Sequence, residues 1–141
     1  MMQHTIQKPQ SLSGVGVHSG KPATLTVRPA GAGEGVTFVR RDQGGAAIAA
    51  HALRVSTTML GTNMTNDAGV SVATVEHFLA ACAGLGVDNI IAELDGPELP
   101  ILDGSSRPFV ELLEKAGLAE QSAPRRVLKI LKTVEVREGA K

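Results

Sequence analysis

The sequence predicts an α+β fold: a two-layer sandwich in which a small, mostly antiparallel sheet packs against two helices. Three observations carry that expectation. Short alternating segments, best seen in residues 23–28 (ATLTVR) and 88–94 (DNIIAEL), place apolar residues on one face at every second position. Two segments near residues 74–84 and 105–116 instead show the apolar spacing of a helix with one buried stripe. Strands with two segregated helices fit a layered α+β arrangement.

Taken in order, residues 3–17 alternate loosely and are interrupted by Pro9 and Gly14, as a bent or bulged strand would be. Residues 16–20 read as a turn, and residues 23–28 form a strand with Leu25 and Val27 on one face. A second turn at 31–35 leads to the strand-like 36–40, and the Ala-rich stretch 44–52 fits either a loop or a weak strand. Residues 56–64 are β-rich and run into Asn66-Asp67-Ala68-Gly69, which predicts a hairpin into residues 70–72. The first helix follows, with Ser71 or Thr74 to cap its start and Gly84 or Gly86 to stop it. After the strand at 88–94 comes a connection stiffened by Pro97 and Pro100, in which Asp95, Glu98 and Asp103 read as turn and cap residues. The second helix starts at Ser105 or Ser106 with Pro108 in its first turn. It buries Phe109, Leu112, Leu113 and Ala116 and ends at Gly117-Leu118 in a Schellman-type motif.

The last segment has a different character. Residues 120–124 (EQSAP) have linker composition, and residues 125–137 (RRVLKILKTVEVR) form a long strand pattern with Leu128, Ile130, Val134 and Val136 on one face. The pattern runs into a turn at 138–141. A long unpaired strand is an aggregation liability, so the expected organisation is one domain over 1–122 and the truncated start of a second over 123–141.

Composition narrows the function classes. A chain of 141 residues with 43% hydrophobic content can bury a core. Its formal net charge of zero gives no electrostatic footprint for nucleic acid. Three Phe and no Tyr or Trp argue against base stacking and against an aromatic-anchored protein interface. The single cysteine, Cys82, lies on an apolar stripe, which excludes a disulfide framework and favours a reducing compartment. No segment approaches the length of a transmembrane span and no signal-type start is present, so cytoplasm is the default localisation.

The candidate chemistry lies at the start of the first helix. Val75, Phe78, Leu79 and Cys82 fall in one apolar stripe, which places Glu76 about 100° and His77 about 160° away from it. The face around His77 is built from Ala80, Ala81 and Gly84, small residues that let a ligand or another backbone come close. Near a helix N-terminus the macrodipole disfavours imidazolium and favours carboxylate. That is the protonation pair needed for a metal-ligating His beside a general base. Because neighbouring helical side chains diverge, one ligand plus one base is an easier geometry than joint chelation. A solvated or hydrogen-bonded histidine is the plainer alternative.

Four motifs then occur in order: Gly14-Val15-Gly16-Val17-His18-Ser19-Gly20, Thr57-Thr58-Met59-Leu60-Gly61-Thr62, Thr74-Val75-Glu76-His77 through Gly84-Leu85-Gly86-Val87-Asp88-Asn89, and Glu98-Leu99-Pro100-Ile101-Leu102-Asp103-Gly104-Ser105. Together they resemble the N-terminal half of the UDP-3-O-acyl-N-acetylglucosamine deacetylases, zinc hydrolases of lipid A synthesis. The resemblance implies two similar domains with the active site between them, and hydrolysis of the N-acetyl amide of an acylated UDP-sugar. It implies that Glu76 is the general base and His77 one of three Zn2+ ligands. Met59 and Leu60 would line the cleft, and His18 would lie near the substrate, with a simple turn histidine as the other reading of His18. The other two zinc ligands, a His and an Asp, and a later catalytic His and Lys would come from the second domain. His4 and His51 match no motif, and no HExxH or Cys/His ligand spacing occurs. This chain would therefore be an incomplete half, inactive by itself. Two alternatives stand beside that reading: a non-catalytic module of the same fold that binds a nucleotide sugar or a partner, and obligate association with a separate second half or another copy.

Overall fold

The computed structural model describes residues 1–139. Ten strands and two α-helices follow one another as β1 (Met2–Ile6), β2 (Gln10–Val15), β3 (Pro22–Pro29), β4 (Val36–Arg40), β5 (Ala46–Ala49), β6 (Val55–Thr57), β7 (Asn63–Thr65), β8 (Ser71–Val72), α1 (Glu76–Leu85), β9 (Ile90–Leu94), α2 (Arg107–Ala116) and β10 (Leu118–Pro124), with single 3-10 turns at Arg41–Gln43 and Ala52–Arg54. The main sheet has the order β2-β3-β9-β4-β5 and is antiparallel except where β4 runs parallel to β9. That parallel pair needs a crossover, and α1 lies within it. A small meander of β6, β7 and β8 and a two-stranded β1–β10 ladder complete the strands. The class is α+β, as the sequence predicts.

Alternation explains the sheet face. Ala23, Leu25 and Val27 of β3 and Ile90, Ala92 and Leu94 of β9 are buried, with Phe38 of β4 and Ile48 of β5 beside them. The helices cover this face with Phe78 and Cys82 from α1 and Phe109, Leu112, Leu113 and Ala116 from α2. All three aromatic rings of the chain form one stack: Phe38 meets Phe78 edge-on at 5.9 Å between centroids, and Phe78 meets Phe109 at 5.9 Å. Each such pair contributes about 0.5–1.5 kcal/mol beyond its buried area. No helix among the described residues is long and apolar enough to cross a membrane.

Several local expectations are corrected. The bent strand over 3–17 is two strands, β1 and β2, separated at the Pro9 break. Neither Ser71 nor Thr74 caps α1: Ser71 lies in β8, the N-cap is Val75 without a side-chain bond, and the Thr74 hydroxyl donates to Glu98 instead. Gly86 stops α1 in the left-handed conformation, while Gly84 remains inside it. Ala81 is buried in the core cluster and is not part of an open face with His77. Gly117 has φ 72° and ψ 147°, so α2 does not end in a Schellman motif. The carbonyls of Ala116 and Gly117 accept the N–H groups of Lys8 and Gln7, which draws the chain directly into β10.

The C-terminal segment departs most. Residues 120–124, read from composition as a linker, belong to β10, whose Leu118 pairs with Ile6 and whose Pro124 pairs with Met2 of β1. Gln121 fastens the strand by donating to the Ala30 carbonyl at 2.9 Å and accepting from the Asn89 amide at 2.7 Å. Arg125 then binds the Asp88 carboxylate and the Gly86 carbonyl. From Arg126 onward no strand forms among the described residues, and Leu128, Ile130, Val134 and Val136 are exposed. Gly139 sits in the expected terminal turn, and the last two residues of that turn, 140 and 141, lie outside the described residues.

Candidate active site

Glu76 is the first residue of α1, and its position is set by the loop that precedes β7. The N–H of Thr62 donates to Glu76 Oε2 at 3.0 Å, and the Val75 N–H donates to the Thr62 carbonyl at 3.3 Å. Two bonds thus tie the loop to the root of the helix. Oε1 of Glu76 has no hydrogen bond among the described residues and faces Gly61. A methyl group built on Gly61 would stand 3.5 Å from Glu76 Oε1 and 3.5 Å from His18 Nε2. The carboxylate and the imidazole therefore flank one point, separated by no more than twice that distance. The neighbouring residues Met59 and Leu60 are 80% and 87% exposed, and Leu60 holds φ 60°. Their side chains stand in solvent beside this corner.

His18 belongs to a tight loop closed by the Gly16 N–H on the Lys21 carbonyl and the Gly20 N–H on the Gly16 carbonyl, at 3.0 and 2.9 Å. Its inner support is Glu98. Oε1 accepts the His18 N–H at 3.0 Å and the Thr74 hydroxyl at 3.1 Å, while Oε2 accepts the Ser19 N–H at 2.9 Å. Gly16 must lack a side chain here, because a Cβ would run into the Glu98 carboxylate and the Ser19 hydroxyl. Glu98 itself is only 3% exposed. Burial pushes its carboxyl up, but the N–H groups of His18 and Ser19 and the hydroxyls of Ser19 and Thr74 outweigh it and hold the group below the usual carboxylate range.

Of the other two acidic turn residues, Asp103 has the local role expected of it, accepting the Ser105 N–H at 2.9 Å, whereas Asp95 accepts the Thr24 N–H of β3 at 2.7 Å from 71 residues away. Glu98 likewise satisfies backbone donors across the fold, eighty residues from its partner His18. The sequence holds a faint signal for it: a carboxylate enclosed between Pro97 and Leu99-Pro100, where the chain has little freedom to turn it outward.

His77 is half-buried on α1, and neither ring nitrogen makes a hydrogen bond among the described residues. It is neither sealed in the core nor pinned by a local partner. His51 accepts the Leu53 N–H in its own turn, and His4 lies on β1. Cys82 is buried, and burial pushes its thiol up to about 12, so it is an inert core residue and not a thiolate donor. No group of three or more His, Cys, Asp or Glu among the described residues could hold a metal ion. A zinc site needs about three protein donors. The described residues bring no such set together.

The structure thus brings Glu76, His18 and Gly61 to one corner and sets His77 next to Glu76 on the same helix. The family described as UDP-3-O-acyl N-acetylglycosamine deacetylase (LpxC) matches residues 3–141. The UDP-3-O-acyl-N-acetylglucosamine deacetylase of Phenylobacterium zucineum (strain HLK1) is 51% identical over 143 residues, an alignment that covers 100% of this chain and 49% of that protein. Proteins of the same name from Shewanella oneidensis and Shewanella baltica (strain OS155) are 48% and 47% identical over 142 residues, with 100% of this chain and 46% of each relative covered. The chain spans about half the length of the curated relatives it matches.

Proposed function

The chain belongs to the UDP-3-O-acyl N-acetylglycosamine deacetylase family, and on that premise we propose that it forms one wall of a zinc-dependent amide hydrolase acting on UDP-3-O-acyl-N-acetylglucosamine in lipid A synthesis. The observation that carries the reading is the aim of Glu76: one carboxylate oxygen held by the Thr62 N–H, the other free and turned to the corner His18 also faces. The complete enzyme is proposed to be cytoplasmic, with a second domain, begun within residues 123–141, closing over this wall.

In that reaction water adds to the acetamide carbonyl and the C–N bond breaks, giving acetate and a free 2-amino sugar. Glu76 accepts a proton from the attacking water at Oε1. The bond from Thr62 fixes the carboxylate so that this oxygen meets the water without a change of rotamer. His18 Nε2, close to the same corner as Glu76, would hydrogen-bond the substrate, and the exposed Met59 and Leu60 would give the cleft an apolar lip suited to an acyl chain. His77 would serve as one zinc donor, and the rest of the metal set is proposed to come from the second domain.

Replacing Glu76 tests the reading in the complete enzyme. Glu76→Ala is expected to lower kcat by about two or more orders of magnitude with bound zinc retained, as loss of a general base does. Near-normal turnover in that variant would remove Glu76 from the chemistry. The isolated chain should bind zinc only weakly by atomic absorption after dialysis, whereas tight one-to-one binding would contradict the shared-site reading. A complete protein that binds the nucleotide sugar but never hydrolyses it would favour a non-catalytic module.

A further inference from the structure

We propose that Glu98 is a positioning residue, whose buried carboxylate sets where His18 stands relative to Glu76. The inference rests on the reading of the site given above. Three stretches of chain distant in sequence are joined at this side chain: the His18 loop, the Thr74 turn that opens into α1, and the strap 97–101. The strap is fixed by the backbone: the Ala73 N–H donates to the Pro97 carbonyl at 2.8 Å, the Leu99 N–H to the Ala73 carbonyl at 3.1 Å, and the Ile101 N–H to the Val15 carbonyl at 2.9 Å. Glu98 therefore projects from a rigid base towards two parts that carry the chemistry.

The form of the grip matters more than its existence. A buried carboxylate needs hydrogen-bond donors, and any donors would satisfy it. Here the donors are the consecutive N–H groups of His18 and Ser19, one to each oxygen, which fixes the orientation of the peptide from which the imidazole projects. A further donor is the hydroxyl of Thr74, two residues before Glu76, at a position with φ 59° that a threonine adopts only when its surroundings hold it there. One carboxylate thus references the imidazole to the root of the helix that bears the base. Gly16 leaves the space that this arrangement requires. Placement of this kind is worth much in catalysis, since an error of about 1 Å can cost about 100-fold in rate.

A double-mutant cycle in the complete enzyme, assayed on acylated UDP-N-acetylglucosamine, tests the role. Glu98→Gln sets an amide N–H2 against a backbone N–H, and kcat/KM is expected to fall at least about tenfold. In a His18→Ala background, where no imidazole is left to misplace, the same change should cost less than about threefold. An equal loss in both backgrounds would make Glu98 merely structural and overturn the proposal, as would an unaltered Glu98→Gln enzyme. If Glu98→Gln fails to fold, Thr74→Ala takes its place in the cycle, because it removes one bond and leaves both N–H donors. It is expected to cost about fivefold alone and almost nothing beside His18→Ala, and equal costs again overturn the role. Failure of the underlying reading is seen separately, in a Glu76→Ala enzyme that still turns over.

Discussion

Leu25 and Val27 of β3 are fully buried, whereas Leu128, Ile130 and Val134 of the C-terminal segment, drawn from the same kind of apolar run, are 89, 72 and 74% exposed. Both segments offer an apolar face flanked by polar residues. The difference is their neighbours. β3 has β2 on one side and β9 on the other, so its backbone groups are paired and its apolar face meets the helices. Residues 126–139 have no such strand beside them among the described residues. Alternation supplies a face, but only a partnered edge turns that face into a core. The transition is abrupt, because Arg125 still binds Asp88 and the Gly86 carbonyl, and its N–H still donates to the Met1 carbonyl at 3.0 Å.

Substitutions on the two sides of that boundary should break the symmetry of the two patterns. Leu25→Ala is expected to destabilise the chain by about 2–5 kcal/mol in urea unfolding, the cost of an emptied core position. The matching Leu128→Ala should change stability by less than about 0.5 kcal/mol, and a comparable loss would mean that the segment is packed in solution. Arg125→Ala probes the boundary itself and should cost about 1–2 kcal/mol, since it leaves the half-buried Asp88 carboxylate with only the His4 N–H as a donor. An unchanged midpoint would show that the folded unit ends before β10 closes.

The smallest expected effect concerns pH. Burial raises the carboxyls of Glu98 and Asp88, but their hydrogen bonds, from the His18 and Ser19 N–H groups in one case and from Arg125 and the His4 N–H in the other, leave both below the ordinary range. A carboxyl lowered by folding adds stability that is complete above its unfolded pKa, about 4.3 for Glu and 3.9 for Asp, and is lost as pH falls through the folded value. The urea midpoint should therefore be flat between about pH 7 and 5 and decline below about 4. Glu98→Gln should make that decline shallower, whereas removing residues 126–141 should leave its shape unchanged. A decline that begins near neutrality would contradict this assignment.

Legibility in the sequence follows how local each interaction is. The start and buried face of α2 were readable, because Phe109, Leu112, Leu113 and Ala116 repeat at helical spacing and Pro108 marks the first turn, but its ending at Gly117 was not. β3 and β9 were readable from alternation, and Glu76 and His77 from their place outside the α1 stripe. β10 was not, since its polar residues become a strand only by pairing with β1 at the opposite end of the chain. The cap of α1 was misjudged for a related reason: the hydroxyl that helix rules assign to the cap is taken by Glu98. The approach of His18 to Glu76 around Gly61, and the support beneath it, arise from tertiary closure that no local spacing encodes.

The aromatic stack has a bearing on the orientation of α1. Phe78 lies two residues beyond Glu76 and is gripped edge-on from the sheet by Phe38 and from α2 by Phe109. A ring caught from two directions acts as a key in a slot, so α1 cannot roll about its long axis without giving up both contacts at once. The bearing of Glu76 and His77 towards whatever approaches them is therefore inherited from the oily interior.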